Sequence, residues 1–149
     1  MSTMTSESTS TLNSLLRGEM SALETYGQAL QKLQDDNAPG AAELHQIRKE
    51  HRDAAAALQS HVAVHGDEPS RDSGPWGAFA KAVEGTAKVF GNKAALKALK
   101  EGEEHGVKEY EAALKDEHLT GDVRALVRDT LLPHQRRHVA TIDRLMKAQ

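Results

Sequence analysis

Two glutamates of this chain fall where a helical apolar pattern predicts a buried residue. Glu19 lies between Leu15 and Leu23 in one amphipathic stretch, and Glu103 follows Leu99 at the same spacing in another. A carboxylate that faces a helical core is costly unless it is paired with a cation, protonated or bound to a metal. These two residues are therefore the first candidates for chemistry. The alternatives to metal binding are a buried pairing network or, if the helical register differs, a solvated face.

Histidines interrupt the apolar stripes of two further stretches. His51 follows Ile47 by one helical turn, His138 precedes Ile142 by one turn, and His134 lies one turn before His138. Imidazole and carboxylate groups together bind divalent ions such as zinc, iron or manganese. The pattern therefore predicts an inward potential ligand on each of four helices. Hydrogen-bonded core histidines remain the alternative.

Tyr26 and Tyr110 each follow one of these glutamates by two helical turns on the same face. A phenol can donate a hydrogen bond to a ligating carboxylate and so fix its orientation. Simple core packing, with some partner for the hydroxyl group, is the alternative interpretation of both residues.

An internal repeat indicates how these residues are positioned. Residues 11–30 align without gaps on residues 95–114. The identical pairs are Leu12/Leu96, Leu15/Leu99, Gly18/Gly102, Glu19/Glu103, Tyr26/Tyr110, Ala29/Ala113 and Leu30/Leu114. The repeat predicts a duplicated helical hairpin, in which the first helix is related to the third and the second to the fourth. The repeated glycines favour a close helix approach, such as one at an oligomer interface.

The chain is expected to form one domain of four long helices after a disordered tail at residues 1–10. The bundle at 11–149 is predicted to contain helices at 11–34, 41–65, 93–115 and 121–147, joined by a long crossover at 66–92. A short helix over residues 76–90 holds the tryptophan and both phenylalanines, so it should pack over the bundle and plug one end of its core. Pro133 should kink the last helix.

Composition excludes several functional classes. Charged residues make up 28% with a net charge of −3 and no basic face, which argues against nucleic acid as a partner. No apolar run approaches the roughly 20 residues of a membrane helix, and no signal peptide is recognisable, so a cytoplasmic protein is expected. The lack of cysteine excludes thiolate chemistry.

The inward Glu and His residues, with a Tyr seven residues after each Glu, resemble the ferritin and bacterioferritin superfamily. The nearest resemblance is to an uncharacterised bacterial family of small ferritin-like four-helix-bundle proteins. In the superfamily, two helices each give a Glu and two each give Glu-x-x-His to a di-iron centre. The resemblance implies an all-α, ferritin-like four-helix bundle. It also implies metal ligation by Glu19, His51, Glu103 and His138, with His134 as an alternative ligand.

Two departures from that pattern change the expected chemistry. Arg48 and Gln135 stand where the Glu-x-x-His glutamates should be. Loss of both carboxylates favours one divalent ion over a reactive di-iron pair and weakens the case for a ferroxidase, so an enzyme is not the favoured prediction. Arg48 could instead pair with Glu19 or Glu103 in place of a metal.

The favoured hypothesis is therefore a ferritin-like metal-binding homo-oligomer in metal handling or stress protection. A metal-free bundle that oligomerises or binds a partner through a buried Glu/His/Arg network is the alternative. A small-molecule pocket gated by residues 76–90 is the third. An inward Arg48 would oppose a cation, whereas an outward one leaves the metal site intact. Counting from the turns also places Glu19 and His51 at heights that differ by several Å, at about 1.5 Å per residue.

Overall fold

The computed structural model describes residues 6–32, 40–64, 69, 76–85 and 93–148, with side chains from residue 10 onward. Its helices are α1 (Ser6–Gln31), α2 (Ala41–Val64), α3 (Gly77–Glu84), α4 (Ala94–Leu114), α5 (Gly121–Leu126) and α6 (Leu132–Lys147). A π-helical turn, Val127–Leu131, joins α5 to α6. The described residues contain no strand. None of the described helices combines the length and apolarity required to cross a membrane.

Two apolar clusters fill the bundle and leave a polar layer between them. One cluster takes the first half of α1, the end of α2, the end of α4 and the π-helical turn. The other takes the second half of α1, the start of α2, the start of α4 and the end of α6. This division makes α1 antiparallel to α2 and to α4, and makes α2 parallel to α4. The two hairpins are therefore joined by a crossover that runs the length of the bundle.

Helices α2 and α4 begin and end within one residue of the predicted bounds, whereas α1 and α3 differ from theirs. Helix α1 begins at Ser6 rather than at residue 11, so half of the predicted tail is helical. A helix extends outward from a packed segment at little cost once it is nucleated, and a polar composition does not reveal this. Helix α3 ends at Glu84, and residues 86–92 lie outside the described ranges.

The disturbance expected at Pro133 takes the form of a π-helical turn. Proline has no backbone N–H to donate to the carbonyl four residues earlier, at Asp129. The turn Val127–Leu131 lies directly before Pro133, and helical geometry resumes at Leu132. The wider turn accommodates the missing hydrogen bond.

The short helix packs over the bundle, as the sequence predicts, and Trp76 and Val83 join the apolar cluster on one side of the polar layer. Helix α3 packs across α1 and α4 beside the polar layer. Trp76 is buried, its backbone N–H donates to Ser21 Oγ at 3.2 Å, and its ring lies against Gly102. Lys32 Nζ donates to the carbonyl oxygens of Val83 and Glu84 at the end of α3. These contacts place the start of the short helix beside the polar layer and its end near the end of α1.

Candidate metal centre

The four inward residues of the long helices meet in the polar layer. Glu19, His51, Glu103 and His138 come from α1, α2, α4 and α6, and all four are buried. Nδ1 of His51 lies 2.6 Å from Glu19 Oε2, and Nε2 lies 2.6 Å from Glu103 Oε1. Nδ1 of His138 lies 3.3 Å from Glu103 Oε2. His51 therefore bridges the two carboxylates, and Glu103 bridges the two imidazoles.

The expected difference in height does not separate Glu19 from His51. Helix α1 ends twelve residues after Glu19 (31 minus 19), and α2 begins ten residues before His51 (51 minus 41). These lengths are nearly equal, so the two side chains lie at similar heights. Counting from the centre of the turn was misleading because α1 ends earlier than its sequence pattern predicts.

The two tyrosines bind the carboxylates in a crossed arrangement. Tyr26 of α1 donates its phenol hydrogen to Glu103 Oε1 of α4 at 2.8 Å. Tyr110 of α4 donates to Glu19 Oε1 of α1. Each tyrosine thus holds the glutamate of the opposite repeat, which ties the two hairpins together through the site.

A fifth residue, Glu50, belongs to the cluster and was missed by the sequence analysis. Its Oε1 lies 2.8 Å from His138 Nε2, and Arg137 Nη2 donates to Oε1 and Oε2 at 2.7 and 2.9 Å. His134 Nδ1 lies 3.8 Å from the same Oε1, so His134 stays at the periphery. The repeat carried a signal, since aligning His51 with His138 puts Glu50 opposite the oppositely charged Arg137.

The buried charges of the site stabilise one another. Burial alone would lower the pKa of His51, but the carboxylates of Glu103 and Glu19 outweigh it and raise that pKa to about 10. Burial alone would raise the pKa of Glu103, but His51 and His138 outweigh it and lower that pKa to about 2. Without a metal, His51 is therefore an imidazolium between two carboxylates.

The surrounding groups keep fixed protonation states. Burial and the nearby carboxylates raise the pKa of Tyr26 and of Tyr110, so both remain hydrogen-bond donors. Burial works to raise the pKa of Glu50, but hydrogen bonds from Gln46, His138 and Arg137 lower it to about 2. Glu50 is therefore a carboxylate throughout the physiological range.

Neither substituted residue supplies a charge to the centre. Arg48 lies against Gly27, where a Cβ atom would come 3.3 Å from its Nη2, and its Nε has no hydrogen-bond partner among the described residues. Among the described residues, Arg48 forms no ion pair with Glu19 or Glu103, so the alternative in which it replaces a metal there is wrong. Gln135 is buried and donates to the Glu103 carbonyl at 3.3 Å.

The geometry of the cluster suits a metal ion. One ligand atom each from His51, Glu103 and His138 can be chosen so that all lie within 4.8 Å of one another. In a metal site each ligand atom lies about 2.0–2.2 Å from the ion, so these atoms would need to move only a little closer together to share one ion. The donor set, imidazole nitrogen with carboxylate oxygen, is one that zinc, iron and manganese accept.

A comparison with protein families identifies a match over most of the chain. Residues 3–116 match the family described as Domain of unknown function (DUF2383). The chain belongs to this family. The DUF2383 match includes Glu19, Glu50, His51 and Glu103 and ends before α6, so His138 lies outside it.

The fold of this DUF2383 protein is ferritin-like. It superposes on a structure described as "Crystal structure of ferritin like, diiron-carboxylate proteins from Bacillus anthracis str. Ames" with a TM-score of 0.76. The two share 17% sequence identity, and the match covers 94% of this chain and 95% of that one. A search of curated proteins finds no match. The ferritin-like, uncharacterised family expected from the sequence is thereby confirmed.

Proposed function

We propose that this DUF2383 protein binds one divalent metal ion at Glu19, His51, Glu103 and His138. The observation that carries the proposal is the convergence of His51, Glu103 and His138 ligand atoms within 4.8 Å in a buried layer. Iron, zinc and manganese all suit this donor set. The proposed role is metal handling or stress protection.

Charge balance supports one ion rather than two. The three carboxylates of Glu19, Glu50 and Glu103 and the guanidinium of Arg137 together carry two negative charges. One divalent ion bound to neutral imidazoles cancels that charge, whereas a second would leave an excess of two positive charges in a buried layer. When bound, the ion would supply Lewis acidity and, if it is iron or manganese, redox capacity.

The chain's own residues support binding more than turnover. Tyr26 and Tyr110 hold one oxygen of each central glutamate, and Glu50 holds the outer nitrogen of His138. These hydrogen bonds orient the ligands, as outer contacts do in metal sites. Arg48 and Gln135 remove two carboxylates that a di-iron centre would use. We therefore propose a binding protein rather than a ferroxidase.

A metal-free role is the second candidate, and one observation favours it. Both nitrogens of His51 already lie on carboxylate oxygens. Tyr110 donates to the other oxygen of Glu19, and Tyr26 donates to the same Glu103 oxygen that His51 contacts. The cluster is thus internally paired without an ion. In that case the layer would be structural, and the bundle would act through oligomerisation or a partner.

Metal content separates the two candidates. The tag-free protein, prepared without chelator, is loaded with Fe(II), Zn(II) or Mn(II), desalted and analysed by mass spectrometry, beside Glu103→Gln. The exposed Glu111→Gln on the same helix is the matched control. We expect about one retained ion per chain in the wild type and in Glu111→Gln, because a single site of this donor set holds a single ion. Glu103→Gln should lose the ion, because it lacks one of the proposed carboxylate ligands. A wild type that retains none of the three metals would remove the proposal and leave the structural network.

A further inference from the structure

A pocket on the α2/α6 face leads to the outer side of the central cluster. Its volume is about 100 Å³, and its wall includes Glu50 and Asp53 from α2 and His134 from α6. Ala57 and Thr130 also line the pocket. Carboxylate and imidazole groups are ligands that a divalent cation accepts. Here a cation would compete with Lys49, 3.3 Å from Asp53, and with Arg137, 2.7 Å from Glu50.

Glu50 connects the mouth of this pocket to the buried site. The same Oε1 atom lies 3.8 Å from Nδ1 of His134 and 2.8 Å from Nε2 of His138. The exposed side-chain fraction falls along this series, from 39% at His134 to 14% at Glu50 and 4% at His138. Potential ligands therefore continue from the solvent to the centre in steps that one carboxylate rotation can bridge.

The helices around the pocket are arranged to leave an opening. Helix α2 packs mainly on α1, and α6 packs mainly on α4, so the α2/α6 interface is thin. The π-helical turn contributes Thr130 and Leu131 to the pocket wall. A π-helical turn widens the helix and is often found at functional sites. The gap thus lies at the one point where the last helix departs from α-helical geometry.

We propose that divalent cations reach the central cluster through this α2/α6 pocket. The cation is first held by His134 and Asp53, passes to Glu50, and then reaches His138 and Glu103. Arg137 holds Glu50 at the mouth, so transfer requires this carboxylate to turn from the guanidinium group to the cation. This inference deepens the proposed function and rests on it.

The opposite side of the cluster offers a poorer route. The cavity between α1 and α4 borders Glu19 and His51, but its volume is only about 20 Å³, room for roughly one water molecule. Trp76 and Tyr110 line it, and the Trp76 ring lies so close to Gly102 that a Cβ atom would meet it at 2.6 Å. His105 and Glu109 also line this cavity. Substitutions at His105 and Glu109 are therefore suitable controls for substitutions at His134 and Asp53.

The rate of metal loading tests the route. Co(II) is mixed with metal-free protein, and its visible absorption is followed as it enters the nitrogen and oxygen site. Ala57→Leu fills the pocket, and Ala112→Leu, facing a groove between α1 and α4, is the matched control. His134→Ala and His105→Ala form a second matched pair. We expect Ala57→Leu and His134→Ala to load about tenfold more slowly, the lower end of the range for charged clefts, with the final Co(II) content kept in Ala57→Leu.

The outcomes separate the route from the site itself. Equal loading rates in Ala57→Leu and Ala112→Leu, with full Co(II) content in both, would overturn the route and leave the site standing. Slower loading in His105→Ala but not in His134→Ala would assign the route to the α1/α4 cavity instead. A wild type that takes up no Co(II) at equilibrium would count against the proposed function. Thermal melting of each variant verifies that it is folded.

Discussion

His51 is the residue on which the metal-free arrangement of the polar layer depends. It is buried, and each ring nitrogen lies 2.6 Å from a carboxylate oxygen. Without it, Glu103 would keep only His138 as a cationic partner, and no described lysine or arginine forms an ion pair with Glu19 or Glu103. The tyrosines donate hydrogen bonds to these carboxylates but bring no positive charge.

Replacing His51 should therefore destabilise the metal-free protein strongly. We expect His51→Ala to lower the free energy of unfolding by about 3–5 kcal/mol, the usual cost of breaking a buried ion pair. Urea denaturation in the presence of chelator measures this change. His45→Ala, at an exposed histidine of the same helix, should change stability little. Equal losses in the two variants would show that His51 is not held as the contacts indicate.

The same pairing predicts how the stability of the metal-free protein depends on pH. The folded pKa of His51, about 10, exceeds its ordinary value of 6.5, so its contribution is complete below pH 6.5 and is lost as the pH rises toward 10. The folded pKa of Glu103, about 2, is below its ordinary 4.5, so its contribution is complete above pH 4.5 and is lost as the pH falls toward 2. The joint contribution is greatest between pH 4.5 and 6.5.

Urea denaturation of wild type and His51→Gln, both metal-free, tests this dependence. The stability difference between them should shrink steadily as the pH rises from 6.5 toward 10. Over that range unfolding of the wild type releases the proton of His51, whereas the variant has no such proton to release. A difference that stays constant over that range would contradict an imidazolium at position 51.

At the scale of the elements, apolar periodicity located the long helices, whereas the position of the short helix on the bundle depends on a tertiary contact. Helices α2 and α4 begin and end within one residue of the predicted bounds, since Gly and Pro signals flank a clear apolar stripe. The position of α3 depends instead on Trp76 fitting against Gly102, a contact between distant segments. The sequence marked Gly102 as a close approach without indicating what approaches it.

Gly102 should therefore be required for the position of Trp76. In Gly102→Ala the added Cβ would lie 2.6 Å from the Trp76 ring, so the ring must move. We expect a loss of about 1–3 kcal/mol of stability, as for other overpacked sites, and a red shift in the fluorescence of the single tryptophan. Gly121→Ala is the control, because nothing lies within 4 Å of its added Cβ. Unchanged fluorescence in Gly102→Ala would contradict the packing of α3.

At the scale of the whole molecule, the two hairpins are related by the repeat but are not chemically equivalent. Glu19 and Glu103 could be found from the sequence because each interrupts an apolar stripe, and so could His51 and His138. Glu50 was missed because it lies beside the stripe and acts across the bundle on His138. The role of Glu19, His51, Glu103 and His138 as metal ligands stays a prediction. The homo-oligomer and the cytoplasmic location also stay predictions.

A crystal structure of the zinc-loaded protein, with anomalous data collected on both sides of the zinc edge, tests the central claim most directly. We predict one anomalous peak per chain in the polar layer, about 2.0–2.2 Å from a nitrogen of His51, a nitrogen of His138 and an oxygen of Glu103. Zinc found only at surface histidines, with His51 still seated between Glu19 and Glu103, would contradict it. The layer would then be an ion-pair network that joins the two hairpins.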